Sequence, residues 1–210
     1  MSKTDELIEQ LIKQLEKQTP IKAEDIPNID LYMDQVTTFM NSHLNNSKRY
    51  PDDKILTKTM INNYAKNDLL PPPEKKKYSK NHLFILIFIY YFKGFLSIGD
   101  IQKLLHPLTE QHFDENSALS LEEVYSTVFS LESEQLKKLT DNLASLNELS
   151  KTVFTDAENR EILQPFTLIC LLSYDVYMKK KIIETMIDDL IPAPINTKTD
   201  KKEKKEREKK

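Results

Sequence analysis

The sequence predicts an all-α protein, and three observations carry that prediction. Apolar residues recur three and four positions apart in segment after segment, the spacing of one helix face. Helix-start residues stand in front of those segments: Thr57, Ser79, Ser97 with Asp100, and Ser120 with Glu123. Gly94 and Gly99 are the only glycines in 210 residues, so folds built on tight glycine turns are nearly excluded. No phosphate-cradling glycine loop of a nucleotide-binding protein can be written either.

In chain order, Leu7, Ile8, Leu11, Ile12 and Leu15 predict a short amphipathic helix, and Pro20 and Pro27 punctuate the linker behind it. Asp30 is the expected cap of a second helix whose stripe is Tyr32, Met33, Val36, Phe39 or Met40, and Leu44. After the polar connection "NNSKRYPDD", Thr57 caps a third helix with Met60, Ile61 and Tyr64 inward and Lys58, Asn62 and Lys66 outward. Pro71, Pro72 and Pro73 force extended backbone at and before themselves. Ser79 then starts an uncharged helix through Leu83–Phe92, expected to end at Gly94 in a left-handed conformation. That apolar run covers about half of the roughly 20 residues a bilayer needs, which predicts a buried core helix and no membrane partner.

The helix opened by Ser97 carries Ile98, Ile101, Leu104 and Leu105 and is expected to stop at Pro107. Ser120 opens one with Leu121, Val124, Val128 and Leu131. Leu136, Leu139, Leu143, Leu146 and Val153 follow as a heptad-like seam interrupted by Ser150. A last long helix, with Pro165 near its start, carries Phe166, Ile169, Cys170, Val176, Ile183, Ile187 and Leu190. Behind Pro192 and Pro194 the tail "TKTDKKEKKEREKK" holds no apolar residue and is expected to be disordered. The predicted organisation is an N-terminal helix and linker (1–27), a first domain (28–107), a C-terminal helical region (108–191) and a charged tail (192–210).

The net charge of −3 is unevenly distributed. From Lys48 to Lys80, nine basic residues stand against four acids, while the flanking segments are acidic, which points to an anionic partner. His43, His82, His106 and His112 show no i, i+4 pair and no cysteine companion, so no metal site is expected. The single cysteine, Cys170, cannot close an internal disulfide and is expected to be inert core; a reducing cytoplasm follows. The start "MSKTDELIEQ" lacks the apolar stretch of a secretory signal. No nucleophile with its base is visible, so neither an enzyme nor a cofactor is expected.

From Thr57 to Leu105, the ordered stretches "YAKNDLLPP", "KKKYSKNHLFILIFI" and "LSIGDIQKLL" resemble the DNA-binding half of mercury-resistance-type (MerR) transcription regulators. The whole chain also resembles a bacterial domain-of-unknown-function family of MerR-like proteins. The resemblance implies a winged helix-turn-helix regulator of double-stranded DNA at 28–107. It also implies a C-terminal helical bundle region that makes a homodimer or senses a small-molecule or protein effector. On that footing Lys58, Asn62, Asn63 and Lys66 face the groove, and Lys75, Lys76, Lys77, Tyr78 and Lys80 form the wing. Lysines neutralise phosphates, and an asparagine amide matches the major-groove edge of adenine. The chain departs from the family pattern at Asn62, where an arginine is usual, and at His82, where an acid is usual. Gly94 stands one residue early, and the connection 45–56 exceeds the usual turn of about 3–4 residues. The competing expectation is a helical protein-interaction module of the same fold that binds no DNA. In it, the Leu83–Phe92 run and the Leu136–Val153 seam would dock a partner.

Overall fold

The computed structural model describes residues 3–17, 20–114 and 116–191. Within them lie eight α-helices and one two-stranded antiparallel ladder, so the all-α expectation holds. The helices are α1 (Lys3–Leu15), α2 (Met33–Leu44), α3 (Lys58–Lys66), α4 (Lys80–Phe92), α5 (Ile98–His112), α6 (Leu121–Ser130), α7 (Glu132–Lys151) and α8 (Arg160–Leu190). The strands are β1 (Leu31–Tyr32) and β2 (Lys77–Tyr78). Among the described residues no helix is long and apolar enough to cross a membrane.

The centre of the molecule is α4. Its residues from His82 to Ile89 are all buried, as a helix that is apolar on every side requires. Around it pack Val36, Phe39 and Met40 of α2, Ile61 and Tyr64 of α3, Ile101 and Leu105 of α5, and Leu121 and Tyr125 of α6. Ile21 and Ile26 join the same core, and the Tyr125 hydroxyl donates to the Ile21 carbonyl at 2.5 Å. The core therefore runs from Ile21 into α6 and extends across both expected borders, at 27/28 and at 107/108. A smaller cluster unites Ile8 of α1, Leu143 of α7 and Leu168 of α8.

The long connection after α2 is pinned rather than loose. Ile55 and Leu56 are buried, the Lys93 ammonium donates to the Ile55 carbonyl, and the Ser47 and Tyr90 hydroxyls bond one another.

Several local expectations give way to packing. Asp30 does not cap α2; the helix starts at Met33, where the Gln35 side chain accepts from the Tyr32 N–H at 2.8 Å and the Tyr32 ring stays exposed. Gly94 is not left-handed, since no glycine has a positive φ; the chain leaves α4 through the Leu96 N–H donating to the Phe92 carbonyl at 2.9 Å. Pro107 does not stop α5, which continues to His112. A proline deletes one backbone donor, and here Leu108 and Phe113 hold the continuation against the core.

In α6 the inward row is Leu121, Tyr125 and Phe129, while Val128 and Leu131 are exposed, because the aromatic rings stack on Phe84 and Phe88. The α7 seam buries Leu143 with two polar residues, Asn147 and Ser150, and leaves Leu139 exposed. On α8, Phe166, Ile169, Cys170 and Val176 point outward, so Cys170 is a surface thiol and not core. The buried residues of α8 are Leu168 and Ile187. The expected disordered tail, 192–210, lies outside the described residues.

Candidate nucleic-acid interface

Helix α3 is short and anchored from below. The Thr57 hydroxyl accepts from the Met60 N–H at 3.2 Å, and Ile61 and Tyr64 enter the core, where burial raises the Tyr64 phenol above its ordinary pKa. The exit is fixed as well: Asp68 turns left-handed at φ 55°, and the Leu69 and Leu70 N–H groups both donate to the Tyr64 carbonyl. The outward residues are Lys58, Thr59, Asn62, Asn63 and Lys66, all exposed. Nine residues at about 1.5 Å each make a rod of roughly 13 Å.

The segment behind it is a tight hairpin. The Lys77 N–H donates to the Glu74 carbonyl at 2.8 Å, and the two residues between, Lys75 and Lys76, have φ of 48° and 65°. Positive φ at both central positions is the pattern of a type I′ turn, for which Asn-Gly is the relaxed choice. Strand β2 then pairs with β1, Leu31 opposite Tyr78 and Tyr32 opposite Lys77.

Contacts across β1 and α2 tie the two basic pieces together. The Lys58 ammonium pairs with Asp34 in the first turn of α2. The Lys77 ammonium sits 5.5 Å from the centroid of the Tyr32 ring. Tyr32 and Asp34 are two residues apart, so the start of α3 and the base of the hairpin converge on one end of α2.

Beneath the hairpin stands His82, 4% exposed, edge-on to Tyr78 and to Phe113. The Ser79 N–H donates to His82 Nδ1 at 3.0 Å, so Nδ1 is the unprotonated nitrogen and the proton of the neutral ring is on Nε2. Nε2 makes no formal hydrogen bond; it lies near the carbonyls of Pro72 and Pro71, which favour the charged ring less than burial opposes it. The net effect holds the imidazole below its ordinary pKa. A neutral imidazole thus accepts the backbone bond that caps the start of α4.

A model of the family described as a domain of unknown function (DUF1836) matches residues 21–128, more than half of the chain. The chain belongs to the DUF1836 family. The matched span holds all of the buried main core except Ile187, which α8 contributes. No curated protein and no solved structure matches the chain.

Within the DUF1836 region, the residues expected on DNA divide into two groups. Lys58, Asn62, Asn63 and Lys66 share the open side of α3, and Lys75 and Lys76 are exposed at the hairpin tip, with Lys77 half-buried at its base. Tyr78 and Lys80 do not join them. Tyr78 is 3% exposed inside the core, where burial raises its phenol, because β2 alternates its side chains and the next one out is Lys77. The Lys80 side chain is 18% exposed, its ammonium 2.8 Å from Glu122 and 5.8 Å from the Phe84 ring centroid. Sequence reading missed Asp34 and Tyr32, which carry no local signal because their partners lie on other elements. Among the described residues no cluster of three or more histidine, cysteine or acidic side chains has a metal-binding arrangement.

Proposed function

We propose that this DUF1836 protein is a MerR-like winged helix-turn-helix regulator of duplex DNA. In this reading α3 enters the major groove and the Glu74–Lys77 hairpin rests on the flanking phosphates. The observation that carries it is the hairpin tip. Two non-glycine residues at positive φ cost on the order of 1 kcal/mol each relative to Asn-Gly, and both are exposed lysines. A strained backbone used to present charge, beside a helix that presents two more lysines around Asn62, fits phosphate clamping with one base-reading amide.

Asp34 belongs to the same mechanism. Its carboxylate neutralises Lys58 in the free protein and gives way to a phosphate in the complex. The outward row Ile162, Phe166, Ile169 and Val176 on α8 supports a homodimer, which would set two α3 helices about 34 Å apart on one face of the duplex. The same uncovered row is what favours the second reading, a protein-docking module that binds no DNA.

The test is the double variant Lys75→Asn/Lys76→Gly. Stability to urea should rise by about 1–2 kcal/mol as the strain is relieved. Duplex affinity at low salt should fall by about tenfold or more, and the slope of log K against log salt should shrink by about two. An unchanged slope would remove the wing from the interface, and no salt-dependent binding in the parent protein would favour the docking module.

A further inference from the structure

A groove of about 560 Å³ opens between residues 20–24, α6 and the first turn of α7. That volume lies in the range of small-molecule sites, which combine apolar walls with a few polar groups. Its apolar wall is Ile21, Ala23, Tyr125 and Phe129; the Tyr125 and Phe129 rings are 4.4 Å apart, and Tyr91 lies 5.7 Å beyond Phe129.

The charges around the groove are one-sided. Three carboxylates, Glu24, Glu122 and Glu132, line it against one ammonium, Lys22. Glu24 is 3.4 Å from Lys22, and Glu122 is 2.8 Å from Lys80. Glu132 differs: its carboxylate makes no hydrogen bond and no ion pair among the described residues. Partial burial raises its pKa, so its carboxylate has lost part of its hydration without gaining a counter-charge. A small anion is repelled here. A divalent metal asks for more oxygens than one unpaired carboxylate supplies. The partly exposed Phe129 ring, backed by the buried Tyr125, beside an uncompensated carboxylate suits an organic ammonium ion, which is attracted by the ring face and by the charge together.

We propose that this groove binds an organic cation, an amine or quaternary ammonium with an apolar body, and that Glu132 is its counter-ion. Through Glu122 the site reaches the wing, a consequence that rests on the DNA-binding reading above. Glu122 lines the groove and holds Lys80, the first residue of α4, directly behind Tyr78 and Ser79. A cation in the groove competes for Glu122 and releases the Lys80 ammonium beside the hairpin. Cation and DNA then favour one another, and the coupling is reciprocal.

The experiment titrates the full chain with benzyltrimethylammonium by calorimetry, first without DNA and with benzyl alcohol as the neutral control. Saturable binding of the cation is expected, weakened about tenfold in Glu132→Gln, while benzyl alcohol binds no better to the parent than to the variant. Ser126→Phe fills the groove from an exposed position outside the core and should abolish binding with Glu132 intact. Equal affinity in parent and Glu132→Gln, or equal binding of the neutral control, would overturn the site. Duplex affinity is then measured with and without the cation. A rise of a few-fold that disappears in Glu122→Gln supports the coupling, and an unchanged affinity overturns the coupling alone. Because the first titration contains no DNA, it is decisive even if the protein binds none.

Discussion

Helices α4 and α8 carry similar apolar side chains and treat them differently. Eight of the 13 residues of α4 are buried, whereas α8 buries two of 31. Partners explain the contrast: α4 is surrounded by α2, α3, α5 and α6, while α8 has α7 along one side and α5 near its end. The first region is complete as a single chain. The second leaves Ile162, Phe166, Ile169 and Val176 on the outside, so its apolar content reflects something other than this chain's own stability.

The sharpest way to break that comparison is to truncate one side chain in each region. Phe84→Ala, inside the first core, should cost about 3–5 kcal/mol and leave little folded protein. Ile169→Ala should change urea stability by less than about 0.5 kcal/mol if the chain is a monomer. A concentration-dependent loss at Ile169, followed by sedimentation, would instead place a second copy on α8.

A smaller effect sharpens the same point through DNA. Asn62→Ala should cost about 1–3 kcal/mol per half-site and relax preference at one base position, read by selection from random duplexes. A two-copy complex should show the relaxation twice, at symmetric positions. A single relaxed position would show that α8 does not bring two copies to one duplex.

The smallest expected effect is pH-dependent and differs in sign between the regions. His82 has a folded pKa below its ordinary 6.5, so its contribution is fully present above that value and is lost as pH falls toward the folded one. Lys151, in the second region, is raised by hydrogen bonds to Asp5 and Glu148; its contribution is present below its ordinary 10.5 and is lost as pH rises through the folded value. Amide exchange on either side of neutrality should therefore loosen α4's start in acid and the α1–α7 contact in alkali. An α1–α7 contact that keeps its protection in alkali, or an α4 start that keeps its protection in acid, would refute the assignment.

What the sequence made legible was local or periodic. Thr57, Ser97 with Asp100, and Ser120 with Glu123 act within three residues, so their caps could be read directly and all stand. The uncharged run of α4, too short for a bilayer, predicts a buried core helix, and it is one. Pro107 and Gly94 misled because their preferences are worth about 1–3 kcal/mol, and packing of Leu108, Phe113 and Leu96 outweighs that. The face of α8 was illegible for a different reason: apolar residues occur on more than one side, so periodicity alone cannot choose. At the candidate interface, the exposed positions of α3 followed from helix geometry. The withdrawal of Lys80 did not, because Glu122 lies 42 residues away.

The bond from the Tyr125 hydroxyl to the Ile21 carbonyl spans 104 residues, and it has a consequence for synthesis. At roughly 5–20 residues per second, a ribosome needs on the order of 5–20 s after making Ile21 before Tyr125 follows. Over about the last third of that interval the nascent chain contains the whole of α4, while α6, the helix that covers Phe84 and Phe88, is not yet available. Loop closure over such a distance is slow, so the unfinished domain presents its most apolar helix to chaperones and proteases. A message cut short before α6 would accordingly yield a chain marked for removal, and no half-working fragment would accumulate.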